Sequence, residues 1–182
     1  MCDGEDDVVE NPKTKLVKMV DAQNNAAQAV EELALSLSSL IEDVPDLVIM
    51  CIGTDKSTGD AVGPLVGMFL QKWGMKNVYG TLQDPVHAVN LKERLQEVKA
   101  MHPGACILAV DACLGRLNHV GMIRLYDRPI KPGQGVREDL PEVGDISIAA
   151  VVGPCYGDKY LNLQMLQTRS LNKVMKMAEI IA

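Results

Sequence analysis

Two aspartates carry the clearest chemical signal in this chain. Asp60 follows the apolar run Leu47-Val48-Ile49-Met50-Cys51-Ile52 across a short loop containing Gly53 and Gly59, and Asp111 follows Cys106-Ile107-Leu108-Ala109-Val110 directly. Both runs read as buried strands. In an open α/β sheet, residues just past the carboxyl ends of the strands line the ligand crevice, so neighbouring strands would bring the two acids face to face. Two carboxylates held in different environments supply the base that activates water and the acid that protonates a leaving amide nitrogen. Their bland alternative is structural, with Asp60 capping a helix and Asp111 closing a strand.

Other residues compete for roles around this pair. Asp55 lies in the same loop, where it could replace Asp60, contact substrate, or join it in holding a divalent cation; an exposed turn is its simpler reading. The loop fails the phosphate-binding pattern, because Gly53 and Gly59 are wrongly spaced and Asp60 stands where a lysine is needed. Cys113 and Cys155 sit beside expected strand ends, and a thiol nucleophile would need His87 or His119 as its base. No spacing links either histidine to a cysteine, and a nickel or zinc role for them beside the aspartates has equally little support. Gly133, Gln134 and Gly135 form a loop whose backbone N–H groups could hold a peptide carbonyl or oxyanion. Arg116, Arg124, Arg128, Lys131 and Arg137 tint that region basic, but Asp127, Glu138 and Asp139 offset them, so a solvated surface is expected.

The composition limits what these groups can act on. With 182 residues the chain can bury one sizeable core. Aromatics are only 3%, which leaves little to stack on bases, and the net charge of -6 opposes a phosphate backbone; no nucleic-acid partner is expected. No apolar run has transmembrane length and the N-terminus is acidic, so the expectation is a cytoplasmic protein with no membrane partner. Five cysteines, odd in number and without C-x-x-C spacing, argue against a disulfide framework or a structural zinc site.

Residues 1–10 read as a disordered acidic tail and 11–182 as one α/β domain. Asn11-Pro12 reads as the start of a long amphipathic helix reaching nearly to Pro45, which the polar stretch 21–25 could interrupt. Then follow a strand over 47–52, a helix with Gly63 as cap and Pro64 first, a short strand over 77–82, and a charged helix from His87 or Asn90 to about Ala100. Strands over 105–111, 119–126 and 145–152 come next, and a single long helix from Asp158 to the end. That helix is apolar enough to pack on the sheet or on a second copy in a homodimer. The pattern predicts a single-domain three-layer α/β/α sandwich with a mainly parallel, phosphorylase/hydrolase-like sheet.

The stretches 51–67 (C-I-G-T-D-K-S-T-G-D-A-V-G-P-L-V-G), 110–115 (V-D-A-C-L-G) and 131–146, from K-P-G-Q-G-V to L-P-E-V-G-D-I, resemble the YyaC-type sporulation proteins of spore-forming Firmicutes. The resemblance covers roughly residues 45–180. That group is similar to the spore germination protease, an atypical aspartic endopeptidase that degrades small acid-soluble spore proteins, and more distantly to hydrogenase-maturation endopeptidases. The resemblance implies a catalytic dyad of Asp60 and Asp111, the glycine loop from Gly133 to Val136 as substrate contact, no cofactor, a spore-protein or other peptide substrate, and a forespore location. This chain is much shorter than the germination protease. That motivates a second expectation, a non-catalytic binding or assembly protein of the forespore. A third is a metal-dependent maturation-type endopeptidase, in which His119 would be the later histidine.

Overall fold

The computed structural model describes residues 16–133 and 140–182. Its centre is a six-stranded sheet in the order β1-β5-β6-β4-β2-β3. The strands are β1 (Leu16–Asp21), β2 (Leu47–Cys51), β3 (Val78–Tyr79), β4 (Cys106–Gly115), β5 (Met122–Tyr126) and β6 (Ile146–Pro154). β3, β2, β4 and β6 pair in parallel, whereas β5 joins β6 and β1 joins β5 antiparallel. The sheet is therefore mixed and mostly parallel.

The alternation of side chains assigns the layers. One face carries Ile49, Cys51, Leu108, Val110, Ile148 and Ala150 and packs against α1 (Ala26–Ile41), α2 (Val62–Lys72) and α5 (Leu171–Ile181). The other carries Val48, Met50, Ile107 and Ala109 under α3 (Leu91–Met101) and Val143. Near-continuous burial along β2, β4 and β6 is what a sheet covered on both faces requires. The three-layer α/β/α arrangement expected from the sequence is present.

Toward both ends of the chain and at the helix after β2, the boundaries differ from expectation for physical reasons. The residues read as the start of a long helix form β1 instead, because pairing with β5 satisfies their backbone. Asn11-Pro12 lies outside the described residues. The polar stretch after β1 ends the strand and starts the next helix: the Asp21 carboxylate accepts from Gln23 N at 2.8 Å, and Asn25 caps α1 by accepting from Gln28 N at 3.2 Å. Asn25→Ala should cost about 1 kcal/mol, read as a lower urea midpoint with an unchanged slope.

The C-terminal helix is two helices. α4 (Lys159–Gln167) is capped by Asp158, which accepts from Leu161 N at 2.9 Å, and extended backbone at Ser170 separates it from α5. α5 buries Val174, Met177, Ala178 and Ile180 against its own sheet. The helix expected to begin at Pro64 begins at Val62, continuing a 3-10 turn over Gly59–Ala61. No helix among the described residues is long and apolar enough to cross a membrane.

Candidate active site

Asp60 is placed by backbone packing rather than by a side-chain cap. At the end of β2, Ile52 N donates to Val110 O at 2.7 Å and Gly53 N to Val86 O at 2.8 Å. The chain loops out and returns at Asp60, whose carbonyl accepts from Thr54 N at 3.2 Å. A Cβ on Gly53, where φ is +146°, would lie 1.9 Å from that same carbonyl oxygen, and a Cβ on Gly63 would lie 2.0 Å from Ile52 O. Glycine at both positions lets the strand end and the helix start touch through bare backbone. The Asp60 side chain is half-buried at that contact.

Asp111 does not end its strand. β4 runs four residues further, paired with β6. What ends near Asp111 is the pairing with β2, whose last partner on β4 is Val110. Asp111 is thus the first β4 residue beyond the tip of β2, on the face that carries Ile107 and Ala109. Its side chain is only 8% exposed and its Oδ1 accepts from Ala112 N at 2.8 Å. Burial pushes the carboxyl well above the usual carboxylate range, and the negative charge of Asp60 pushes it further; the Ala112 N–H opposes both. Asp111 therefore holds a proton where an ordinary aspartate has lost it.

Both aspartates line one cleft of about 540 Å³, with His87, Arg124, Arg128 and Gly133 among its walls. Asp55 is exposed, while its neighbours Thr54 and Lys56 face the cleft. Gly133 has a φ of +75°, the left-handed conformation that suits glycine. Gln134 and Gly135 lie outside the described residues.

Arg124 is where the reading of the basic segment changes. It is 5% exposed, not a solvated surface residue. In β5, Ile123 and Leu125 point into the main core, which turns Arg124 and Tyr126 to the opposite face. There the register places Asp111 beside Ala149 and Ala149 beside Arg124, so a small side chain separates acid from guanidinium across three strands. Arg124 Nη2 bonds His119 Nδ1 at 2.6 Å, and Arg128 lies over the Tyr126 ring at 4.5 Å. The period-two pattern of Met122-Ile123-Arg124-Leu125-Tyr126 was the available signal.

The remaining candidates separate. His119 is engaged by Arg124 and is not part of the cleft wall, whereas His87 is. Cys113 lines the cleft; Cys155 is disulfide-bonded, which removes it as a nucleophile. Among the described residues no three His, Cys, Asp or Glu side chains are grouped to hold a metal ion.

Comparison with known proteins places these features in a family. The chain is 44% identical over 169 residues to the "Uncharacterized protein YyaC" of Bacillus subtilis (strain 168), covering 91% of this chain and 81% of that protein. Among solved structures, it is similar to the [NiFe] hydrogenase maturation protease HycI from Thermococcus kodakarensis KOD1, at 18% identity and a TM-score of 0.46, covering 80% of this chain and 97% of that one. Residues 21–182 match the family described as "Protein of unknown function (DUF1256)", and the chain belongs to that family.

Proposed function

We propose that the chain is an aspartic-type peptidase acting during sporulation, with Asp60 and Asp111 as its catalytic residues. One observation carries the reading: two aspartates line one cleft large enough for a peptide segment, and burial and the charge of Asp60 push the Asp111 carboxyl well above the usual carboxylate range. The resemblance of the 51–67 and 110–115 stretches to the germination protease supports the peptide substrate and the forespore setting.

The chemistry follows from the difference between the two carboxyls. Asp60, as the anion, takes a proton from water while the water oxygen attacks the peptide carbonyl carbon. Asp111 gives its proton to the amide nitrogen as the C–N bond breaks, leaving a carboxylic acid and an amine. Asp60 then carries the proton and Asp111 the charge, and proton return between them restores the starting state. The backbone at Gly133 lies along the cleft, where it would align the substrate strand. Lys56, Arg124, Arg128 and Lys131 line the same cleft and offset the acids, including Glu142.

The test is cleavage by the purified chain of a small acid-soluble spore protein and of a broad peptide library, with new termini read by mass spectrometry. Asp60→Asn should reduce the rate by about a hundredfold or more while circular dichroism stays unchanged. Wild-type cleavage by that variant would reject the dyad. A wild-type chain that binds the spore protein and leaves every peptide intact would replace the peptidase with a binding protein on the same scaffold.

A further inference from the structure

Two carboxyls account for the protons of peptide hydrolysis but not for the charge that forms on the carbonyl oxygen. When water attacks, the C=O electron pair moves onto that oxygen, inside a cleft that substrate closes to solvent. A fixed donor aimed at the oxyanion supplies a large share of the rate. Asp60 and Asp111 are engaged with the water proton and the leaving nitrogen. The donor must come from another part of the cleft wall, level with Asp111.

The sheet puts Arg124 at that level. β6 lies between β4 and β5, and its Ala149 pairs with Asp111 on one side and Arg124 on the other. Ile148 and Ala150 point into the main core, so Ala149 turns to the cleft and lines it with Asp111 and Arg124. Two interstrand steps of about 4.8 Å set the Asp111 and Arg124 backbones about 10 Å apart. An amide nitrogen and its carbonyl oxygen, each with one hydrogen bond to a wall, span about 8 Å. The alanine floor leaves the room that this span needs. Asp60 lies on the other side of Asp111, close enough for its charge to act there. Arg124 is also held in place: Nη2 bonds His119 Nδ1 at 2.6 Å, and Nη1 donates to the Tyr126 hydroxyl at 3.4 Å. A guanidinium carries five N–H donors in a fixed fork, so neighbours can hold it while it serves a substrate oxygen. Lys56, by contrast, is exposed, and Arg128 is stacked on Tyr126.

We infer that Arg124 is a third catalytic residue of this cleft, its guanidinium donating to the scissile carbonyl oxygen while Asp111 faces the amide nitrogen. This role rests on the peptidase reading, and its steps balance. As the water oxygen bonds to the carbonyl carbon, the C=O pair moves onto oxygen, where the Arg124 N–H groups hold it. The pair then returns to re-form C=O as the C–N bond breaks and the Asp111 proton goes to nitrogen. Arg124 gives up no proton at any step.

Steady-state cleavage of the best substrate from the peptide library, by the full chain, tests this role. Arg124→Gln should lower kcat by about a hundredfold or more and change KM by less than about threefold. Arg124→Lys, which keeps the charge but not the fork, should recover about tenfold of that loss. A merely structural arginine would lower the urea midpoint and leave kcat of the folded chain unchanged, and that result would overturn the role. Ala149→Val keeps both charged groups and fills the floor between them. It should lose turnover with an unchanged circular dichroism spectrum, and it decides the matter if Arg124→Gln does not fold; normal turnover by it would overturn the placement of substrate over β6. No cleavage by the wild type would remove the peptidase reading and this role together, whereas wild-type cleavage matched by Arg124→Gln would remove this role alone.

Discussion

Asp111→Asn is expected to lose hydrolysis by about 10²–10⁴-fold and yet fold at least as stably as the wild type at neutral pH. The loss follows from removing the buried carboxylic acid that would protonate the leaving nitrogen. The stability follows from the direction of the Asp111 shift. Its proton affinity is raised in the folded state, chiefly by burial and then by Asp60. The folded protein therefore holds a proton that the unfolded chain releases near pH 4. Wild-type stability is complete below that pH and falls as the pH rises through the folded-state value of Asp111. Asparagine never ionises, and its Oδ1 can still accept from Ala112 N. Urea denaturation across pH should thus show the variant drawing ahead of the wild type as the pH rises. Parallel curves for the two proteins would mean that Asp111 is not the group responsible. The same sign governs catalysis: activity should persist above the ordinary carboxylate range and fail on the alkaline side as Asp111 loses its proton.

Gly63→Ala should destabilise the fold by about 2 kcal/mol or more and abolish activity with it. Helix propensity alone points the other way, since alanine in a helix interior is favoured over glycine by about 1 kcal/mol. Contact decides the sign. The added methyl would lie 2.0 Å from Ile52 O and within 2.9 Å of Ile52 C and N, all backbone atoms that no rotamer change can move aside. α2 must then back away from β2, and Asp60, one turn earlier, moves with it. Denaturation midpoints with an unchanged slope would measure the effect; a variant as stable as wild type would show that this strand–helix contact is looser than described.

The parallel half of the sheet was legible because its strands are continuous apolar runs, and Asp60 and Asp111 were found from their places after those runs. What escaped depends on partners distant in sequence. Leu16 and Val20 are spaced as a helix would have them, and only pairing with β5 makes them a strand. Asp111 read as a strand end because aspartate is uncommon in strands; β6 carries β4 onward regardless. The break at Ser170 was masked by apolar residues on both sides, although serine is a common helix start. Arg124 was misjudged on charge alone, since arginine is seldom buried, and its fate was set by the alternation in β5. Asp55 resembled its neighbour Asp60 in type, but only Asp60 sits at the strand–helix contact and faces the cleft.

The glycine contacts and the parallel pairing together also set an order in time. Asp60 is synthesised well before Asp111, and β6, which flanks β4 on its far side, comes later still. Parallel strands joined by long crossovers pair slowly, because loop closure must precede the contacts that reward it. The two aspartates therefore come to one cleft only after β4 has paired with β2. On the reading proposed above, hydrolytic competence would arise late in folding, once this parallel pairing is complete.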